Sequence, residues 1–368
     1  MTPEAPATSN AATAATPRRR RIALMVEGKF DILAGKTATG VLRYSPHDVV
    51  AVLDSVNAER TVHDVLGFGG AIPVVADIAA ALAFSPDTAL VGIAPTGGKL
   101  PKPWRVSIRQ AIEAGLDVWS GMHMFLSDDP EFAAAAADRG VALWDVRRPR
   151  PDLVVADGSA LKSKAFVVLT VGTDCNVGKM TTAYELARHA KTLGYKAGFV
   201  ATGQTGILIE GRGTPLDAVP GDFMSGEVER LTMELDAEGM DVIFVEGQGA
   251  VVHPGFGAVT LALMLGAMPD AYVLVHQPGR KTFRPDYDVA LPSLTQTVAQ
   301  YEGLMEYHKA PKVLCTALNT YGMDEADATA AAESAESELG VPARDPIREG
   351  VADLFDALVP AMKAKLGR

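Results

Sequence analysis

The sequence has few of the features that mark secreted, membrane or nucleic-acid-binding proteins. Its 368 residues include only two cysteines, Cys175 and Cys315, too few for a disulfide framework, so we expect a reducing, cytoplasmic environment. It contains no run of the roughly 20 apolar residues that a membrane-spanning helix requires, so we expect no membrane partner. Acidic residues outnumber basic ones by 45 to 34, which argues against nucleic acid, whose phosphates are bound by basic surfaces.

Residues 1–21 also lack the apolar segment of a secretory signal. They are rich in small residues and end in four consecutive arginines, a composition that predicts a disordered, basic-ended leader. The chain as a whole has the composition of an ordinary globular enzyme, with 48% apolar and 21% charged residues. At this length we expect two domains rather than one core.

From residue 22 onward, short apolar segments alternate with segments of helical periodicity, a pattern typical of α/β proteins with a mainly parallel sheet. The first half predicts strands at residues 22–26, 49–54, 72–75, 89–94, 117–120 and 141–144, and helices at 77–84, 106–114 and 131–138. We interpret residues 22–150 as a Rossmann-like domain. Near residues 145–165 the alternation gives way to the segment DVRRPRPDLVVADGSALKSKA, which is rich in proline and charge, and we predict residues 151–165 to be a linker.

The same alternation resumes after the linker. Strands are predicted at residues 166–171, 197–201, 242–246, 271–276 and 313–318. Helices are predicted to start at Lys179, near 226–238, near 294–307, and twice more before the C-terminus. We therefore predict that residues 166–368 form a second α/β domain with a mainly parallel sheet, which the phosphate-binding loop between its first strand and first helix makes similar to P-loop NTPases.

The strongest motif is a phosphate-binding loop between the first strand and the first helix of this second domain. Its sequence, GTDCNVGKMTT, follows an apolar strand and leads through Gly178 and Lys179 into a long helix. In such a loop, backbone N–H groups and the helix N-terminus converge on a phosphate, and the lysine adds a positive charge. The predicted phosphate-binding residues are Gly172, Thr173, Asp174, Cys175, Asn176, Val177, Gly178, Lys179, Met180 and Thr181.

Two residues depart from the usual G-x-x-x-x-G-K-[ST] pattern. Thr173 stands in the place of the first glycine, and Met180 replaces the Ser or Thr whose hydroxyl binds Mg²⁺. Without that hydroxyl the loop can still hold phosphates but loses part of the apparatus for phosphoryl transfer, although Thr181 or Thr182 could supply a hydroxyl nearby. We therefore expect no metal site, and a ligand that is only anchored by its phosphates, such as coenzyme A.

Further candidates follow other strands, because ligands of α/β sheets bind beyond the carboxyl ends of the strands. Glu246 ends an apolar strand at the position of the Walker B acid, and partial burial would raise its pKa into the range of a general base. It could equally serve only to accept hydrogen bonds from loop amides. The other candidate catalytic residues are Asp222, Glu229 and His253, of which Asp222 could be a helix cap and His253 an ordinary loop histidine.

Cations gather in one loop of this otherwise acidic chain. The segment HQPGRKTFRP contains Arg280, Lys281 and Arg284, which favours the binding of a carboxylate or phosphate, although a solvated basic loop has the same composition. A weaker cationic candidate follows the glycine-containing KTATG turn of the first domain. The full set of predicted substrate-binding residues is Arg43, Tyr44, Gln204, Gln248, His276, Arg280 and Arg284.

The motifs GTDCNVGKMTT, ATGQTGI, DAVPGDF, EGQG followed by HP, and HQPGR resemble, in this order, those of a known family. That family contains D-glutamate N-acetyltransferases and was long catalogued as a domain of unknown function. The resemblance extends over nearly the whole chain from about residue 21. It implies a Rossmann-like N-terminal domain, a P-loop domain at residues 166–368 that binds acetyl-CoA, and transfer of the acetyl group to the amine of D-glutamate. The GTD sequence at the start of the loop is also similar to that of dethiobiotin synthetases.

For such an acetyltransferase, Glu246 is the expected base for the substrate amine, and Arg280 and Arg284 are the expected partners of the substrate carboxylates. We expect an amino acid as the small-molecule substrate and a homo-oligomer as the assembly. Two other functions are compatible with these residues. An ATP-dependent ligase or kinase of the dethiobiotin synthetase type would require Mg²⁺ and nucleotide turnover. A CoA- or nucleotide-sensing protein would bind its ligand without forming a product.

Overall fold

The computed structural model describes residues 18–31, 35–93, 100–284 and 287–368. Within these ranges the chain forms two sheets of six parallel strands each, with helices in the connections between them. The predicted α/β class is therefore confirmed. No helix in the described ranges is long and apolar enough to cross a membrane.

The first sheet belongs to the N-terminal domain. Its strands are β1 (Arg21–Met25), β2 (Asp48–Leu53), β3 (Val74–Val75), β4 (Thr88–Val91), β5 (Asp117–Ser120) and β6 (Leu143–Asp145). The accompanying helices are α1 (Lys36–Tyr44), α2 (Val62–Leu66), α3 (Ile78–Ala81), α4 (Lys102–Glu113) and α5 (Pro130–Arg139). The strand order is β3-β2-β1-β4-β5-β6, the order of a Rossmann-like fold.

The second sheet belongs to the C-terminal domain. Its strands are β7 (Phe166–Gly172), β8 (Ala197–Val200), β9 (Val242–Val245), β10 (Ala271–His276), β11 (Lys312–Leu318) and β12 (Ala343–Arg344). The helices are α6 (Lys179–Thr192), α7 (Gln204–Glu210), α8 (Gly221–Ala237), α9 (Gly257–Ala267), α10 (Leu294–Leu304), α11 (Glu325–Leu339) and α12 (Ala352–Leu366). The strand order is β12-β11-β10-β7-β9-β8. β7 is central and buried along its whole length, which is why its sequence is apolar apart from Thr170.

Four helices lie where the sequence patterns predict a turn, a loop or no element, and one of them is the short helix α2. The helix α1 begins in the KTATG segment, and α7 begins in the TGQTG segment. The sequence of α9, GAVTLALMLGA, is apolar on all sides and lacks the amphipathic periodicity by which a half-exposed helix is recognised. Because α9 packs against α8, it is mostly buried and needs no polar face.

Parts of the predicted leader and of the predicted linker are folded in the structure. Residues 1–17 lie outside the described residues, but Arg20 donates a hydrogen bond to Asp117 at 2.8 Å and Arg21 is the first residue of β1. In the predicted linker, the backbone N–H groups of Asp157 and Ala160 donate to the Glu229 carboxylate at 2.8 and 3.4 Å. These contacts attach the linker to α8, so its backbone is part of the folded C-terminal domain.

The two domains contact each other through α1 and α7. A Cβ atom on Gly40 of α1 would lie only 2.5 Å from Thr205 Cγ2 of α7, so this approach requires a glycine. The hydroxyl oxygens of Thr37 and Thr205 are 3.1 Å apart across the same contact. One buried apolar cluster also includes residues of both sheets, such as Leu24 and Phe244. The contact brings loops that follow strands of the first sheet beside loops that follow strands of the second.

Candidate active site

The phosphate loop connects β7 to α6. The Lys179 side chain is buried, and its Nζ donates a hydrogen bond to the backbone oxygen of Asp174 at 2.7 Å. Burial lowers the pKa of Lys179 to about 8, so the ammonium form still dominates at neutral pH. A Cβ atom on Gly172 would lie 2.9 Å from Nζ, and the glycine therefore makes room for the ammonium. The loop encloses the positive charge that a phosphate requires.

Arg280 supports the loop through Asp174. Its Nη1 donates to Asp174 Oδ2 at 2.6 Å and to the backbone oxygen of Cys175 at 2.6 Å. The backbone N–H of Arg284 donates to the same carboxylate oxygen at 3.0 Å. A buried aspartate therefore already neutralises Arg280, and the binding of a substrate carboxylate by this arginine stays a prediction. The Arg284 side chain is exposed, and only its backbone takes part in this network.

His253 connects the same loops through both of its ring nitrogens. Its Nδ1 accepts hydrogen bonds from the backbone N–H groups of Gly255 and Phe256 at 3.0 and 3.2 Å, so the ring proton is on Nε2. That nitrogen donates to the backbone oxygen of Arg284 at 2.6 Å. Both ring nitrogens are thus occupied by protein partners, and the structure supports the ordinary loop role of His253 rather than the catalytic one.

Asp174, Cys175 and His253 place three potential metal-ligand atoms within 4.8 Å of one another. The carboxylate of Asp174 is already paired with Arg280, and His253 uses both nitrogens as described above. Cys175 is half-buried, and burial raises the pKa of its thiol, which disfavours the thiolate that a metal binds. The group is thus organised by hydrogen bonds and an ion pair. The absence of a metal from this protein stays a prediction.

Glu246 directly follows β9 and lies beside the domain contact. Its buried Oε2 accepts hydrogen bonds from the backbone N–H groups of Thr202 and Gly203 at 2.9 and 3.2 Å. Burial raises the pKa of Glu246 to about 7, although these hydrogen bonds oppose the shift. A Cβ atom on Gly206 would lie 2.5 Å from Oε2, so α7 packs directly on the carboxyl group. Glu246 can therefore gain and lose a proton near neutral pH.

Two glutamines predicted to bind substrate have different surroundings. Gln248 Nε2 donates to the backbone oxygen of Thr202 at 2.5 Å, so its amide stabilises the loop after β8. Gln204 lies between the domains, where its Nε2 donates to Thr37 Oγ1 at 3.2 Å. Its Oε1 is buried against Gly121 and has no hydrogen-bond partner among the described residues. Gln204 therefore has unused hydrogen-bonding capacity at the domain contact.

The first domain supplies residues that belong to none of the sequence motifs. Arg147 follows β6, and its Nη2 donates to Asp217 Oδ2 at 2.6 Å and to His123 Nδ1 at 3.1 Å. Burial and Arg147 both lower the pKa of His123, which is consistent with a neutral ring that accepts at Nδ1. Lys36, at the start of α1, donates from Nζ to Asn176 Oδ1 at 2.7 Å. The available sequence signal for His123 and Arg147 is their position just after predicted strands.

Two of the predicted substrate-binding residues lie away from the phosphate loop. Arg43 stacks over the ring of Phe68 at 4.0 Å, and Tyr44 packs on Tyr184 with ring centroids 5.1 Å apart. Both lie at the opposite end of α1 from Lys36, about 10 Å along the helix axis. The structure therefore does not bring Arg43 and Tyr44 to the phosphate loop.

Three more candidates have clear structural surroundings. Asp222 is exposed in the first turn of α8, and Glu229 is buried under the segment it binds before β7. Asp222 therefore lies in an exposed helix turn, and Glu229 is engaged in a structural contact. His276 Nδ1 lies 3.0 Å from Thr173 Oγ1, and burial lowers its pKa to about 4, so the ring is neutral and supports the start of the phosphate loop.

Met180 packs toward the other domain. Its Cε lies 3.5 Å from the position that a Cβ atom on Gly40 would take, so the thioether contacts α1. The next two residues, Thr181 and Thr182, continue α6, and Thr182 is buried. The side chain that replaces the usual hydroxyl ligand therefore contributes to the domain contact.

These features define a two-domain α/β protein in which a Rossmann-like domain packs against a phosphate-loop domain. Residues 55–149 match the Rossmann-like domain of unknown function DUF1611_N, and residues 154–355 match the P-loop domain of unknown function DUF1611_C. The chain belongs to the DUF1611 family.

Relatives across most of the chain support this assignment. A protein of Tritonibacter scottomollicae named D-glutamate N-acetyltransferase is 39% identical over 332 residues, which cover 89% of this chain and 95% of the relative. A protein of the same name from Pseudoalteromonas is 36% identical over 265 residues, or 72% of this chain and 79% of the relative. The crystal structure of a DUF1611 family protein from Anabaena variabilis has a TM-score of 0.89 at 36% identity, over 93% of this chain and 100% of that one. The predicted family resemblance is therefore confirmed.

Proposed function

We propose that this protein is an N-acetyltransferase that transfers an acetyl group from acetyl-CoA to the amine of D-glutamate. The names of two relatives support this reaction. The observation in this chain that carries the proposal is Glu246, a carboxyl group whose pKa burial raises to about 7, directly after the strand β9 that pairs with the strand leading into the phosphate loop. A group with this pKa can take a proton from an amine and release it again at neutral pH.

The substrate amine is an ammonium group at neutral pH and must lose a proton before it can attack. Glu246 accepts that proton and passes it to solvent. The amine nitrogen then bonds to the carbonyl carbon of the thioester, and the bond from that carbon to the CoA sulfur breaks. The nitrogen loses its second proton to Glu246, which returns it to the CoA thiolate. The net products are the N-acetyl amino acid, free CoA and one proton.

The phosphate loop holds the coenzyme in this proposal. Backbone N–H groups of the loop and Lys179 bind the CoA diphosphate, which anchors the molecule and is not altered by the reaction. Met180 fits this role because its thioether contacts α1 and provides no hydroxyl for Mg²⁺. The residues present therefore suit an anchored diphosphate better than one that is hydrolysed.

D-glutamate carries two carboxylates, which need cationic or hydrogen-bonding partners. Arg280 is already paired with Asp174, whereas the side chain of Arg284 is exposed. We assign one substrate carboxylate to Arg284. We also assign to Gln204, whose buried amide oxygen lies between the domains without a partner among the described residues, a hydrogen bond from the substrate ammonium.

The test is an assay of purified full-length protein with acetyl-CoA and a panel of D- and L-amino acids, read as release of free thiol and as the mass of the product. We expect D-glutamate to be the best substrate and to gain one acetyl group. A product that forms only with ATP and Mg²⁺ would favour the ligase. Tight binding of CoA without any product across the panel would favour the sensing protein.

A further inference from the structure

Lys36, the first residue of α1, extends from the N-terminal domain to the phosphate loop of the C-terminal domain. Its Nζ donates a hydrogen bond to Asn176 Oδ1 at 2.7 Å. Asn176 lies within the loop and has a φ of 54°, a left-handed conformation that asparagine tolerates better than most residues. The contact joins a helix of one domain to the ligand loop of the other.

The position of Lys36 is fixed by packing of the first two turns of the helix. Thr37 accepts a hydrogen bond from Gln204 at 3.2 Å and lies 3.1 Å from the hydroxyl of Thr205. The close approach of Gly40 to α7 holds the helix from the same side. Lys36 therefore does not extend from a free loop, and its ammonium group is directed to the loop by a packed domain contact.

Among the described residues Lys36 forms no salt bridge, and the carboxylates of Asp217 and Glu246 attract its charge only from beyond ion-pair distance. The neighbouring arginines are neutralised, Arg280 by Asp174 and Arg147 by Asp217, each at 2.6 Å. The partner of Lys36 is an uncharged amide oxygen, and no described carboxylate lies within ion-pair distance. The side chain is accessible to solvent, yet surrounding protein atoms lower the pKa of its amine by desolvation. A partly desolvated cation with a neutral partner suits a bound anion.

We propose that Lys36 binds the diphosphate of the phosphate-loop ligand from the opposite domain and shares that group with Lys179. Two ammonium groups at one loop repel each other, and Lys36 is among the charges that lower the pKa of Lys179. A diphosphate, with roughly two negative charges, compensates both cations, whereas a single carboxylate compensates one. The ligand then bridges the two domains. This role extends beyond acetyl transfer, because it holds for any diphosphate ligand.

The experiment measures ligand binding by calorimetry on the full-length protein. The probes are CoA, ADP without Mg²⁺, and pantetheine, which lacks phosphates. Variants Lys36→Ala and Lys36→Gln remove the charge, and Lys36→Arg keeps it. Lys363→Ala, at an exposed position in the last turn of α12, is the matched control for the loss of one lysine.

We expect both charge-removing variants to weaken binding of a diphosphate probe about 10- to 100-fold, the loss of one charge-assisted hydrogen bond. Lys36→Arg should stay within about threefold of the unmodified protein. Lys363→Ala should bind all probes normally, and pantetheine should bind all variants equally. Unchanged binding of both diphosphates by Lys36→Ala, an equal loss with pantetheine, or failure of both diphosphates to bind the unmodified protein would overturn the proposal.

Acetyl transfer is measured separately, so the two proposals can fail independently. Lys36-dependent binding of CoA or ADP without acetylation of any amino acid would end the proposed function and leave the role of Lys36 intact. Acetylation of D-glutamate, together with CoA binding that does not depend on Lys36, would support the proposed function and refute the role of Lys36. An increase only in the amino-acid KM of Lys36→Ala would assign Lys36 to the substrate carboxylate and contradict the diphosphate role.

Discussion

Arg280 Nη1 lies 2.6 Å from Asp174 Oδ2, and both side chains are almost entirely excluded from solvent. The same nitrogen donates to the backbone oxygen of Cys175, so the arginine stabilises the phosphate loop through two hydrogen bonds. In the sequence, Arg280 and Arg284 look equivalent because they share one basic segment. In the structure only Arg284 keeps an exposed side chain, and the two residues therefore have separable roles.

Arg280→Ala should destabilise the protein by about 3 kcal/mol, because it leaves the Asp174 carboxylate buried without its partner. It should also weaken CoA binding through the loop. Arg284→Ala is the matched control, since its backbone N–H still donates to Asp174 and its stability should change by less than about 0.5 kcal/mol. Denaturant unfolding measures the stability of both variants, and calorimetry measures their CoA binding. Equal stability losses in the two variants would contradict this distinction.

Glu246→Gln should lower kcat by about 100-fold or more and leave the KM for acetyl-CoA nearly unchanged, because it removes the base and keeps the shape. In the unmodified protein, kcat should rise with pH through about 7, since only the ionised carboxyl group can accept a proton. Glu210→Gln is the control, because Glu210 is a partly buried carboxyl group on α7 whose pKa is also raised by burial. A pH profile of Glu246→Gln that still rises near 7 would point to another base.

Glu246 also makes stability depend on pH. Its pKa is raised from 4.5 to about 7 in the folded protein, so between these values the unfolded chain releases a proton that the folded chain keeps. The free energy of unfolding should therefore fall as pH rises through this window, by up to about 3 kcal/mol. Glu246→Gln should remove this fall in the free energy of unfolding, because glutamine does not titrate. Its stability relative to the unmodified protein should be higher at pH 8 than at pH 5, and no pH dependence of that difference would refute the raised pKa.

Activity should persist in excess EDTA and without nucleotide, because the phosphate loop anchors a diphosphate that is not hydrolysed. Lys179→Ala should raise the KM for acetyl-CoA about 10- to 100-fold through loss of a charged contact, with a smaller effect on kcat. Acetyl-pantetheine, which lacks the diphosphate, should show the same KM with both proteins. Strict dependence on Mg²⁺ and ATP would instead favour the ligase, with Thr181 or Thr182 as a metal ligand.

Gly40→Ala should disturb the domain contact, because the new methyl group would lie 2.5 Å from Thr205 Cγ2. Separation of α1 from α7 would move Lys36 away from the loop, so we expect weaker CoA binding together with lower stability. Gly303→Ala is the control, since a Cβ atom at that position in α10 meets nothing within 4 Å. It should stabilise the protein slightly, as alanine is the better helix former. Identical CoA binding in both variants would show that the contact does not support the site.

The phosphate loop and Glu246 could be predicted from the sequence for different reasons. The loop is one continuous segment, and its backbone geometry follows from the strand, the glycines and the helix start around it. Glu246 ends a buried strand, and in a parallel sheet the residue after a strand lies at the ligand edge. The raised pKa also follows from that location, because a carboxyl group at the end of a fully buried strand is desolvated.

The sequence by itself determines two alternating α/β domains, the phosphate loop and the edge of the sheet where Glu246 lies, since each depends on local periodicity or on neighbouring residues. Tertiary structure alone decides which charges are neutralised. Arg280 pairs with an aspartate 106 residues away, and Lys36 meets Asn176 across 140 residues. Electrostatic energy depends on distances of a few ångströms and on burial, and neither can be read from sequence separation when two domains meet.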